Sequence, residues 1–383
     1  MKYLKNAYGR DTGTYDTYEL FMLKSSQILK DNGSMGMIIP SSWLTGESYL
    51  HSRRKLTQFL DPKIAYAMPF DVFPQAYIDT AIVVMSARQE NPPDCKVYFY
   101  PKREKISEIR PDLGVSVPLA RIRSDNENRF SIMFAREYEN LLSKFQLCES
   151  TFGDWFNIQR GVQPYGKQKH TKDEMTSRFL HASTRLNDSY MPELQGEELS
   201  RYFVEPNRTS YLEYSDRLAS SRPIENFTGE RLVLRRLLTR KFRLQASYVN
   251  TSLITTDNIL SVVPLKDDLN VLYALGILNS KIISWYYTGL SMVAQKDDFP
   301  QVHISALKSL PFPLAEKAQH DQVVNLVEKM LSLKQRQANT NDALNDQRHE
   351  LQEQIQYLDQ QIDRLVYQLY DLTEEEIRVV EGA

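Results

Sequence analysis

Residues 70–84 read FDVFPQAYIDTAIVV, and the rest of the chain is organised around them. Pro69 and Pro74 each fix their own φ and push the residue before them towards extended backbone. Ile78, Ala81, Ile82, Val83 and Val84 then form a β-branched apolar run, the signature of a strand covered on both faces. The stretch is therefore strand, tight turn, strand, with Phe73 at the tip of the turn. An aromatic there either covers the end of a sheet or offers a flat face to a ligand.

Upstream, Thr14 can cap a helix whose apolar side runs through Tyr18, Phe21, Met22, Ile28 and Leu29, and Asn32-Gly33 ends it. Met35–Ile39 is a short apolar strand closed by Pro40. A helix over 47–60 follows, then strands over 63–68, 78–86 and 95–100. This order predicts part of an α/β sheet. No Gly-rich strand-to-helix turn of the kind that cradles a cofactor precedes it. Downstream, a helix is expected over 136–148, strands within 231–263 and a helix over 269–287, as in a separate α+β domain. Leu344, Leu351, Leu358, Leu365 and Leu372 then recur every seven residues, with Ile355, Ile362 and Leu369 on the alternate seam. That pattern suits a helical hairpin folded on its own domain and a dimer seam equally.

Composition sets the limits. With 383 residues, 42% hydrophobic and 25% charged, the chain suits two or three globular domains. No apolar run is long enough to span a membrane, and residues 1–16 lack the apolar core of a secretion signal. Cys95 and Cys148, the only cysteines, suit a reducing cytoplasm. The six histidines form no HxH or HxxxH pair, so no metal site is expected.

Net charge is −2, yet the basic residues are clustered. Arg231, Arg235, Arg236, Arg240, Lys241 and Arg243 lie together near Phe242 and Tyr248. Arg160, Lys167, Lys169 and Lys172 are interleaved with Tyr165 and His170. Clustered cations with aromatics among them suit phosphate contacts and base-edge readout in a nucleic acid. The other reading is two solvated faces balanced by acidic neighbours. Asn91-Pro92-Pro93-Asp94 imitates a methyltransferase motif, but its fourth residue cannot stack on a base, and it reads as a surface turn. Asp267-Asp268, Asp297-Asp298 and Glu374–Glu376 read as solvated loops and helix caps.

In order, these pieces resemble the TaqI-like adenine-N6 DNA methyltransferases of restriction–modification systems, including IIG-like enzymes with a fused specificity domain. TYDTYELFMLKSSQILKDNGSMGMIIPSSWL resembles the family's helix and strand that follow its catalytic Pro-Pro motif, and DVFPQAYIDTAIVV its base-pocket turn and strand. FGDWFNIQRGVQPYGK, YMPELQGEELSRYF, LYALGILNSKIISWYY and DDFPQVHISALKSLPFP resemble its specificity domain, and LDQQIDRLVYQLYDLTEEEIRVVEG its helical tail. The resemblance implies a Rossmann-like catalytic part over 1–115, a target-recognition domain over 116–315 and a coiled-coil-like tail over 316–383. It implies that Phe73 stacks on a flipped adenine and that Phe21 contacts the adenine ring of S-adenosylmethionine. The clustering of cations with aromatics makes Arg160, Tyr165, Lys167, Lys169, Arg235, Arg236, Arg240 and Lys241 the expected contacts with double-stranded DNA, and Arg243 lies near a family position that reaches DNA. The family's cofactor glycines and Asn-Pro-Pro-aromatic motif are absent, so no catalytic residue is expected in this chain. An N-terminal methyltransferase half, upstream or on a separate subunit, is expected as a partner, with a dimer through the C-terminal helices as a further expectation. The alternative is a non-catalytic DNA-recognition subunit that assembles through its tail.

Overall fold

The computed structural model describes residues 16–69, 72–73, 78–100, 105, 107–205, 210–238, 243–266, 269–290, 301–340 and 345–382. The mixed α/β chain forms two compact units: Met1–Ser143 with Thr288–Pro300, and Lys144–Tyr287 with Gln301–Ala383.

The first unit is built on a five-stranded sheet. Its strands are β1 (Ser34–Pro40), β2 (Leu60–Ala67), β3 (Thr80–Ala87), β4 (Cys95–Phe99) and β5 (Val115–Val117), in the order β1-β3-β2-β4-β5. Only the β2–β4 pairing is parallel. The AIVV run lies inside β3, between two neighbours, as its apolar character predicts. Ala81, Val83 and Met85 are fully buried, while Ile82 and Val84 on the other face are half-buried. Ile78 is not part of the strand. It is exposed, because the ladder begins only at Thr80, where Met68 N–H also donates to Thr80 O at 2.8 Å. Ser41 N–H donates to Asp79 O at 2.8 Å, so the segments that leave β1 and β2 and enter β3 gather at one end of the sheet.

One buried cation holds that end. Arg53, on the helix Leu50–Phe59, donates to the carbonyls of Trp43 and Gly46, both at 2.7 Å, and twice to Glu127 O, at 3.0 and 2.8 Å. Burial pulls its pKa down to about 10, so it stays charged at neutral pH. The carbonyls take the place of water around the guanidinium, and the 43–46 turn is fastened as a result.

The second unit carries two four-stranded sheets. In one, β6 (Phe156–Arg160), β12 (Arg231–Arg235), β13 (Ala246–Val249) and β15 (Ile259–Pro264) form an antiparallel array β13-β12-β15-β6. In the other, β7 (His181–Ala182), β8 (Tyr190–Leu194), β11 (Tyr211–Glu213) and β14 (Ile254–Thr255) run β14-β8-β11-β7. Between them in the chain, β9 (Leu199–Ser200) and β10 (Phe203–Val204) form a short ladder. Leu194, Leu199, Val233, Val249, Leu253 and Ile259 make one apolar core, and Val162, Leu180, Leu212, Leu218, Phe227 and Ile254 another.

The helix expected over 269–287 is two helices, Val271–Asn279 and Lys281–Leu290, with extended backbone at Ser280. Asn279 accounts for the break. Its side chain accepts from Ala246 N–H and donates to Ala246 O, each at 2.9 Å, which ties the helix end to β13. The tail is a hairpin. Helices Lys317–Asn339 and Asn345–Leu369 pack together, and Gln337 donates to Gln352 across them at 2.9 Å. Leu351, Ile355, Leu358 and Ile362 of the heptad seam are thereby buried within a single chain. Glu376 closes a capping box with Thr373, as the cap reading of Glu374–Glu376 expects.

Candidate nucleic-acid interface

The arginine-rich segment divides once it folds. Arg231 is fully buried, donating to the carbonyls of Gly229, Thr251 and Leu253. Arg243 is also turned inward. It donates to Asn279 O at 2.6 Å and lies 3.7 Å from Asp363, so its guanidinium is occupied inside the unit. Arg240 and Lys241 lie outside the described residues.

Arg160, Arg235 and Arg236 remain at one end of the β6 sheet. Arg160 pairs with Leu260 and Leu234 pairs with the same residue, whereas Arg235 pairs with Ile259 one step along. Residues directly opposite in a ladder share a face and successive residues alternate, so Arg160 and Arg235 point to opposite faces. The neighbour of Arg160 is instead Arg236. Burial lowers the pKa of Arg236, and the positive charge of Arg160 lowers it further. Arg236 donates to Gln301 Oε1 at 2.8 Å and to Asp257 O at 3.4 Å, neither of them an anion. Arg236, held by neutral acceptors, and the exposed Arg160 act on each other as like charges, with the Asp257 carboxylate a partial counter-charge, and such a pair suits a phosphate.

Gly161 follows β6 directly. A Cβ there would lie 2.2 Å from Thr255 O and 2.4 Å from Thr256 O, while Val162 N–H donates to Thr255 O at 2.8 Å. Only glycine permits this approach of two backbones. Gly161→Ala is therefore expected to lower stability by about 1–3 kcal/mol, the range for forced overpacking. Thermal unfolding checks this, and a wild-type melting temperature for the variant would show that the approach carries no stability.

The second basic set forms a loop fastened by its own side chains. Tyr165 Oη accepts from Leu180 N–H and shares a hydrogen bond with His181 Nδ1, both at 2.9 Å, and His181 Nε2 lies 3.5 Å from Glu193. Burial acts to raise the pKa of Glu193, but bonds from His181, Ser210 and Gln195 outweigh it and leave the carboxyl below its ordinary value. His170 accepts from Gly166 N–H at 3.2 Å and meets Arg217 O at 2.9 Å. Lys169 donates to Asp216 O and to Leu218 O. Tyr165 and Lys169 thus build the loop, and Lys167 stands exposed on it. His181 and Glu193 were not legible as partners of Tyr165, since nothing local joins these three separated positions.

In the first unit, Phe73 and Phe21 are both at the surface, 42% and 66% exposed. Phe73 stands between β2 and β3, at the sheet end fastened by Arg53. Residues 70–71 and 74–77 around it lie outside the described residues, as do Asp267-Asp268 and Asp297-Asp298. Asp94 of the Asn91–Asp94 turn pairs with Arg136 at 3.2 Å, the part of a surface residue. Among the described residues there is no group of His, Cys, Asp and Glu able to hold a metal, and no helix long and apolar enough to cross a membrane.

Comparison with known proteins bears out the likeness read from the sequence. Residues 191–312 match the TaqI-like C-terminal specificity domain, and residues 1–73 match the Eco57I restriction-modification methylase family. A Methanocaldococcus jannaschii protein, RM.MjaORFECS2P, named as a type II restriction enzyme and methyltransferase, is 31% identical over 377 residues. The match takes in 94% of this chain, which spans 29% of that relative's length. The solved type IIL restriction-modification enzyme MmeI, in complex with DNA, shares the fold at a TM-score of 0.56 and 11% identity, over 95% of this chain and 50% of that one.

Proposed function

We propose that this chain is the target-base and DNA-recognition portion of an S-adenosylmethionine-dependent adenine-N6 DNA methyltransferase of a restriction–modification system, working in the cytoplasm. The observation that carries the reading is the Arg160–Arg236 pair, an exposed cation whose charge acts on a second cation held by neutral acceptors. Arg236 lies inside the span matched to the specificity domain, and Arg160 is brought beside it from β6. DNA phosphates are the anions this arrangement suits, with Arg235 and Lys167 as further contacts. Arg240 and Lys241 belong to the same chain segment and are proposed with them.

The division over 1–115, 116–315 and 316–383 goes with this reading. The 1–115 part would complete a Rossmann-like domain with an N-terminal methyltransferase half. Within the described residues β1 pairs on one side only, with β3. Its Ile38 is 55% exposed, and Phe21 and Ile28 are exposed on the helix Thr17–Ile28. An apolar strand at a sheet edge beside exposed apolar side chains suits the addition of further sheet. For the cofactor, Phe21 offers one aromatic face to an adenine ring, and the bound cofactor would supply the methyl group. The remaining contacts, and the polarisation of the target amine, fall to the N-terminal half. A dimer through the C-terminal helices would have to use outward residues such as Tyr357, because the hairpin covers its own seam.

The test is the salt dependence of DNA binding. Log affinity should fall linearly with log salt, and Arg160→Ala and Lys167→Ala should each reduce the slope by about one while weakening all duplexes alike. Binding that ignores salt, or slopes unmoved by both replacements, would remove the reading.

A further inference from the structure

We propose that Gln163 reads a base edge in the major groove, with adenine as the base its amide fits, and so sets one position of the recognition sequence. The proposal rests on the DNA-recognition reading and adds a specificity residue to it.

Gln163 lies in a stretch where the residues around it already have structural tasks. Gly161 is pressed against Thr255 and Thr256, Tyr165 is bonded to Leu180 and His181, and Lys169 and His170 are bonded to the 216–218 turn. The backbone of Gln163 is equally fixed. Its N–H donates to Ser220 O at 2.9 Å, and its carbonyl accepts from Ser220 N–H at 3.0 Å, an antiparallel bridge. The next residue continues that pairing, with Ala219 N–H donating to Pro164 O at 3.1 Å.

The side chain, by contrast, is exposed and makes no hydrogen bond among the described residues. Its Nε2 lies 4.0 Å from where a Cβ on Gly166 would sit, so the amide rests over the backbone just before Lys167. A short side chain with a donor and an acceptor side by side is therefore displayed from a rigid bridge. Exposed cations, Arg160 and Lys167, flank it in the chain. That is the division of labour in DNA reading: cations set the register on phosphates, and a fixed polar side chain meets the base. A glutamine amide can accept from adenine N6–H and donate to N7 together, a pairing no other base edge offers in the same form. A solvated surface glutamine requires neither the fixed backbone nor the flanking cations.

Selection from duplexes with a randomised segment tests this, using residues 1–383 and inorganic buffer alone. The wild type should enrich one sequence. Gln163→Ala should enrich the same sequence with one A·T position made degenerate, and should bind the wild-type sequence about 5- to 150-fold more weakly. Gln163→Glu should move that one position towards C·G, because a carboxylate accepts from cytosine N4. Thermal unfolding of both variants should match the wild type, since the side chain is not packed. An unchanged profile at every position with Gln163→Ala and Gln163→Glu would overturn the assignment and leave DNA recognition standing. No enrichment by the wild type would overturn the recognition reading, and this assignment with it.

Discussion

Replacing Phe73 with alanine is expected to slow DNA methylation by the assembled enzyme about 5- to 150-fold and to leave DNA affinity almost unchanged. A base stacked on an aromatic gains about 1–3 kcal/mol, and an extruded adenine that loses this platform must bear more of its own unstacking cost. The ring is well placed for such a role. It is 42% exposed on the turn between β2 and β3. Nearby, Arg53 fastens the segment that leaves β1 through four carbonyl bonds. Because Phe73 is not packed in the core, truncation should cost little stability, and a reduced rate cannot be put down to unfolding. Phe73→Tyr and Phe73→Trp retain a flat face and should keep most of the rate. Single-turnover methyl transfer, with this chain combined with its N-terminal half, gives the measurement. Full activity in Phe73→Ala would show that the aromatic has no part in holding the base, and would favour a subunit that only recognises DNA.

Phe73 also illustrates what could be read from residues alone. The AIVV run placed β3 correctly, because a β-branched apolar stretch has few other uses, while most of the turn expected at Pro74 lies outside the described residues. The ends were less legible: Ile78 belongs by composition to the strand, yet the ladder starts two residues later. The arginines show a deeper limit. Arg231, Arg235, Arg236 and Arg243 form one cluster in sequence, but strand alternation and burial send them to different places. Arg231 spends its donors on three carbonyls and Arg243 turns to Asn279, whereas Arg236 meets Arg160 from a strand more than 70 residues earlier. Charge spacing cannot report which guanidinium will find carbonyls inside. The heptad was ambiguous for a related reason. A seam of Leu and Ile is the same whether a hairpin or a second copy covers it, and only the packing of Lys317–Asn339 on Asn345–Leu369 distinguishes them.

Arg201→Met is expected to lower the stability of the second unit by about 2 kcal/mol at neutral pH, below the scale of a fully buried stranded charge because both side chains keep about a fifth of their surface exposed. Arg201 forks onto Asp359 at 2.9 and 2.5 Å and also donates to Asn279 O at 2.9 Å, and its guanidinium lies 5.3 Å from the ring of Tyr202. Asn279 is the same residue that ties its helix to β13, so the pair joins the tail helix Asn345–Leu369 to the sheet. Burial tends to raise the pKa of Asp359, but Arg201 overcomes this and holds the carboxyl below its ordinary value. A carboxyl depressed on folding contributes stability above its unfolded pKa of about 3.9 and loses that contribution as pH falls through the folded value. In Arg201→Met the depression should disappear, so the gap between variant and wild type should narrow as the solution is acidified through that range. The double replacement Arg201→Met with Asp359→Leu should recover most of the loss, because two apolar groups in place of a buried pair leave no charge stranded. Denaturant unfolding of the wild type, Arg201→Met and the double variant at neutral and acid pH decides the matter. If the double variant is no more stable than Arg201→Met alone, the loss does not come from a stranded Asp359, and the contacts of Arg201 with Asn279 and Tyr202 must account for it.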